Sequence, residues 1–129
     1  MRQSILATCC LLLAACAPKS HCHDYSSPER AARSFLEAGR VGDTDSVRQA
    51  VIAAERDSVG HVDYQSIGEY SLTLDRLVDE RNAIVTLQTG PIRSPLACIM
   101  ESGAWKVTIK GTLSCMQEQL QEQLASAPR

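Results

Sequence analysis

Leu96-Ala97-Cys98-Ile99-Met100-Glu101-Ser102-Gly103-Ala104-Trp105-Lys106-Val107-Thr108-Ile109 is the stretch that decides the fold. Ser102-Gly103 is a turn pair with alternating side chains on both sides, the pattern of a two-residue hairpin loop. With those two residues as the loop, Met100 faces Trp105, Cys98 faces Val107 and Leu96 faces Ile109. All six are apolar and share one sheet face, so the register follows from the pattern itself. The opposite face carries Lys106, Thr108 and Lys110.

Two more strands precede this hairpin. Tyr70, Leu72 and Leu74 alternate with Ser71, Thr73 and Asp75, and Val78 extends the apolar set. Asp79-Glu80-Arg81-Asn82 reads as a turn, after which Ala83, Val85 and Leu87 alternate again. Further upstream the period becomes helical. Ser27 is a natural N-cap, Pro28 suits the first helical position and Glu29 the first turn. Ala31, Ala32, Phe35, Leu36 and Gly39 make one apolar stripe, and Gly39 and Gly42 end the helix. Asp43 can cap a second helix with the stripe Val47, Ala50, Val51 and Ala54. Arg40, Arg48, Asp43, Asp45, Glu55 and Asp57 mark the wet faces and the joint.

These elements predict an α+β domain over residues 27–111, with two N-terminal helices packed on a four-stranded antiparallel sheet. Trp105 and Phe35, the only tryptophan and the only phenylalanine, lie on faces that should meet in one core. Residues 112–129 form a tail. Its capping-box spacing, Ser114 to Gln117, and its stripe Leu113, Met116, Leu120 and Leu124 predict a short C-terminal helix, docked or frayed.

The N-terminal end is an address. Arg2 is followed by an uncharged apolar run over residues 5–13, too short to span a bilayer and suited to a signal peptide. Leu13-Ala14-Ala15-Cys16 looks like the bacterial lipobox, which implies cleavage after residue 15 and lipid attachment to Cys16. Several acyl chains at ~0.8 kcal/mol per buried methylene make a lasting anchor. Ala17 after the lipidated cysteine favours the outer membrane, periplasmic side, by resemblance to lipoprotein sorting in proteobacteria. Residues 16–26 then read as lipidated cysteine and tether.

Composition narrows the function. The 129 residues hold 13 basic and 15 acidic side chains, which excludes a nucleic-acid footprint by net charge. With one Trp, three Tyr and one Phe, little aromatic surface is left to line a ligand pocket.

Helix, helix and meander together resemble the nuclear-transport-factor-2-like superfamily, and most of all its small lumazine-binding-like bacterial lipoproteins. The resemblance is carried by Ser27-Pro28-Glu29-Arg30-Ala31-Ala32, Phe35-Leu36-Glu37-Ala38, Gly42-Asp43 and Glu101-Ser102-Gly103-Ala104-Trp105-Lys106-Val107. It implies a cone-like sheet. The chain lacks a third helix before Tyr70, so the cone's pocket would be shallow. Members of the superfamily are enzymes, ligand binders or scaffolds, and fold alone does not choose between them.

Three sets of residues bear on chemistry. His61, Asp63 and Tyr64, with Tyr70, are the concentrated acid–base candidates; in the isomerases and cyclases of this superfamily such groups move protons in an apolar cavity. Here they lie between Gly60 and Gly68, which reads as an exposed loop. His21-Cys22-His23-Asp24 offers metal-ligating types, but adjacent residues on a tether cannot close a tetrahedral site. Cys22, Cys98 and Cys115 remain after Cys9 and Cys10 leave with the signal and Cys16 is lipidated. In an oxidising compartment the first pairing to test is Cys98 with Cys115, then Cys22 with Cys115, then free thiols. No cofactor motif is visible. The sequence therefore predicts a membrane-anchored periplasmic binding domain that is not an enzyme, meeting an envelope protein, a small apolar ligand or a periplasmic toxin. The alternatives are a small cyclase or isomerase and metal handling by the tether.

Overall fold

Ser27 opens the first helix by accepting a hydrogen bond from the Arg30 amide, with Pro28 at the first helical position. The computed structural model describes residues 23–60 and 67–126. Helix α1 runs Pro28–Arg40 and α2 runs Thr44–Ala50, joined through Gly42 at φ 72°. Asp43 caps α2 by accepting from the Ser46 amide and hydroxyl. A 3-10 helix, Ala53–Ser58, follows. Strands β1 (Ser71–Leu77), β2 (Asn82–Thr89), β3 (Ile92–Glu101) and β4 (Ala104–Thr108) form an antiparallel meander in the order β1-β2-β3-β4. Helix α3, Ile109–Ser126, closes the described chain.

The fold is α+β, as the periodicity predicts. The β3–β4 hairpin turns at Ser102 and Gly103, both at positive φ (52° and 81°), which matches the right-handed twist of the flanking strands. Met100 pairs with Trp105 and Cys98 with Val107. Phe35 and Trp105 share one core with Leu36, Val47, Val85 and Val107, so α1 covers that sheet face. The outer edge of β4 is also covered. The Trp105 amide donates to the Tyr25 carbonyl, and Val51 bridges Val107 in parallel, which leaves no open ladder there.

Four local expectations need correcting. Leu96 does not face Ile109 across the hairpin, because β4 ends at Thr108 and Ile109 already begins α3. Thr108 is accordingly buried, at 4% exposure, rather than wet. Val78 does not continue the core set. The register shifts between Leu74 and Arg76, so the extra residue reverses the alternation and leaves Val78 57% exposed. Ala54 is exposed, since α2 stops at Ala50 and the chain extends at Val51 before the 3-10 turn.

Helix α3 starts before Ser114, and its seat on the sheet explains why. Thr112 accepts from the Ala97 amide at 3.0 Å and donates to the Thr108 carbonyl, filling the place that a longer β4 would occupy. A Cβ on Gly111 would lie 2.6 Å from Thr108 Cγ2 and 3.1 Å from Ala97 Cβ, so only glycine lets the helix approach this closely. The dock is confined to this first part. Thr112 is the buried residue of α3, while Leu113, Met116, Leu120 and Leu124 face solvent.

The segment before α1 also differs in detail from a free tether. The Asp24 amide and carbonyl both bond Ser34 Oγ, and the Tyr25 ring packs against the core. The chain is therefore docked from residue 24 onwards. No described helix is long and apolar enough to cross a membrane.

Candidate functional site

Glu55, like Thr108, is a polar side chain that the sequence pattern places on the wet side and the fold buries. Glu55 is only 5% exposed. Its Oε2 accepts from the Thr108 hydroxyl at 2.7 Å, and its Oε1 accepts from the Ile109 amide. Thr108 Oγ1 in turn accepts from the Gly111 amide at 3.2 Å. Thr108 is thus the N-cap of α3, and Glu55, from another part of the chain, accepts the amide of the first helical residue. The helix has no acidic residue in its own first turn, so Glu55 is also the negative charge that answers its N-terminal dipole. A signal was available. Val47, Val51, Glu55 and Val59 recur at every fourth position, so Glu55 interrupts an otherwise inward-facing series.

Beside Glu55 lies an open cleft of about 460 Å³, lined by Phe35, Ser58, Val59, Gly60, Ile109 and Lys110 as well. Phe35, Val59 and Ile109 make its wall apolar, and Lys110 is exposed at its rim. The volume falls in the range of small-molecule sites. A second cleft, about 420 Å³, runs between α3 and the sheet and is lined by Arg76, Val78, Ile84, Cys115 and Glu118 among others.

His61, Asp63 and Tyr64 lie outside the described residues, as do Cys16, His21 and Cys22. The acid–base trio comes shortly after Gly60 in the sequence. Tyr70 does not line that cleft. Its hydroxyl donates to Glu37 Oε1 at 2.5 Å, and the Arg33 and Arg40 guanidinium groups stand about 6 Å from its ring. Burial first, then the bond to Glu37, pushes its phenol up to about 12, so it holds its proton and serves as a donor. Asp24 is likewise occupied. It accepts from the Ser26 amide and hydroxyl and from Arg30, and these bonds, led by the Ser26 hydroxyl, hold its carboxyl below the usual range. Among the described residues no three His, Cys, Asp or Glu side chains come together as metal ligands. Lys106 lies over the Tyr25 ring at 3.7 Å and donates to the Gln49 carbonyl, and desolvation lowers its ammonium.

Among the described residues Cys98 and Cys115 carry free thiols, and Cys22, the third candidate for pairing, lies outside them. Cys98 belongs to the core with Phe35, and its Sγ approaches the Pro28 carbonyl on the α1 side of the sheet. Cys115 belongs to α3, whose seat is against Ala97 on the other side. The alternation of the strand separates the two, since neighbours on β3 point to opposite faces. Burial pushes the Cys98 thiol up to about 12, and burial followed by Glu118 raises that of Cys115. Iodoacetamide at pH 8 should therefore modify Cys115 slowly and leave Cys98 intact until denaturant is added, as peptide mapping will show. Above about pH 9 the unfolded chain releases the Cys98 proton and the folded one does not, so stability falls as pH rises through that window.

No protein-family model matches this chain, and no curated protein or solved structure matches it either.

Proposed function

We propose that this chain is a lipid-anchored binding protein of the bacterial outer membrane, facing the periplasm. Its domain takes a small apolar ligand, or an apolar side chain of an envelope protein or toxin, in the cleft beside Glu55, and it catalyses nothing. The observation that carries this reading is the commitment of Glu55. The buried carboxylate at the cleft has both oxygens bonded to the start of α3. What the cleft offers a guest is the apolar wall of Phe35, Val59 and Ile109, with no described group poised to move a proton. Leu13-Ala14-Ala15-Cys16 supports the anchor, and the helix-pair-then-meander order supports kinship with the nuclear-transport-factor-2-like lipoproteins.

The cleft can be titrated with the fluorescent probe 1-anilinonaphthalene-8-sulfonate. Ser58→Trp fills it from the exposed rim without entering the core, and should weaken probe binding at least roughly tenfold. Leu120→Glu, on the remote face of α3, should leave binding unchanged. Equal binding by wild type and Ser58→Trp would remove the cleft from consideration. The anchor is tested separately: Cys16→Ser should lose its acyl mass and leave the membrane fraction.

A further inference from the structure

The apolar stripe of α3 is turned away from the sheet. Leu113, Met116, Leu120 and Leu124 are 53%, 40%, 56% and 69% exposed. At about 100° per residue they fall within an arc of roughly 80°. Cys115, Glu118, Gln119 and Glu122, from the other side of the helix, share a cavity with Arg76 and Ile84 of the sheet. A helix this short gains most of its stability by burying an apolar face, yet α3 turns its polar side to the sheet and buries Thr112 there.

We propose that this stripe is the contact surface for a second copy of the same chain, with the two α3 helices packed antiparallel. The spacing of the stripe, three then four then four residues, reads nearly the same in reverse. A two-fold axis near residue 118 therefore sets Leu113 of one copy against Leu124 of the other, and Met116 against Leu120, as a self-complementary interface requires. Charge agrees with the pairing. Gln117, Gln121 and Gln123 border the stripe, while Glu118 and Glu122 point towards the sheet, so two copies meet without like charges opposed.

The ends of the helix decide the orientation. Lys110 borders the stripe in the first turn, and α3 has no basic residue in its last turn. An antiparallel partner brings its Lys110 beside the C-terminal carbonyls of that helix, which carry partial negative charge. Parallel packing would set Lys110 against Lys110. A lipid surface fits less well, because helices lying in the bilayer interface carry Lys and Arg on the polar face. This one carries Glu and Gln, with no basic residue from 111 to 128. The helix is about 27 Å long, and two such helices cover less than the ~1,200 Å² of a stable specific interface. The association is weak and concentration-dependent.

Oxidative cross-linking of the protein purified from cells, in a Cys22→Ser, Cys115→Ser background, tests both contact and orientation. Leu113→Cys with Leu124→Cys should give a product of twice the chain mass that grows with concentration. Leu124→Cys alone should give at least tenfold less, and adding Leu120→Glu to the double variant should abolish the product without shifting the melting temperature. Equal cross-linking by Leu124→Cys alone, or no dimer-mass product from the double variant at any concentration, overturns the antiparallel pair. So does a double variant that stays monomeric and instead binds vesicles of phosphatidylglycerol through α3.

Discussion

Phe35→Ala should destabilise the domain by about 3–5 kcal/mol, the usual cost of emptying a buried aromatic position. Phe35 is 1% exposed and shares its core with Trp105, Cys98 and Val85, so the cavity left behind is bordered by α1 and the sheet at once. Closing it would require those two layers to move together. A domain with an ordinary margin of about 5–15 kcal/mol loses a large share of it. Urea unfolding followed by Trp105 fluorescence reads the change directly. A loss below about 1 kcal/mol would mean that α1 does not carry the core.

Glu55→Ala should cost about 3 kcal/mol for a different reason. The substitution removes little apolar area and leaves two donors, the Thr108 hydroxyl and the Ile109 amide, without their acceptor. Both stand at the point where β4 becomes α3, so the loss should show as fraying of the helix start. Amide exchange at residues 109–112 should accelerate well beyond that in β2 and β3. Glu55→Gln keeps an acceptor for the Ile109 amide and should lose only about 1 kcal/mol. If Glu55→Ala melts with the wild type, the cap from the 3-10 helix does not hold α3 in place.

The two variants also mark where the sequence was readable. Phe35 lies on a stripe of period 3.6 and Trp105 on a strand of period 2, and each pattern names its buried face locally. Ser27-Pro28 and Asp43 were legible for the same reason, since a cap bonds an amide within three residues of itself. The β3–β4 register follows from a two-residue turn and is right at every pair up to the end of β4. The metal, acid–base and anchor residues His21, Cys22, His61, Asp63, Tyr64 and Cys16 stand outside the described part, and their reading rests on the sequence alone.

What local patterns determined here, then, is everything set by neighbours in the chain: two capped helices, four alternating strands, one hairpin register and one shared aromatic core. Tertiary structure alone decided where β4 stops, where α3 begins and which way its stripe points. Ser114 had the spacing of an N-cap, but Thr108 caps the helix instead because Glu55, fifty-three positions away, reaches its hydroxyl. The separation of Cys98 from Cys115 has the same origin, since a pair of cysteines can only bridge if the intervening chain keeps them on one face. Gly111 then seats α3 on Ala97 through small and polar groups, which leaves the apolar stripe to face outward. A period of 3.6 says that a helix has an apolar side. It does not say whether that side meets its own sheet or another molecule, because that depends on contacts between residues far apart in the chain.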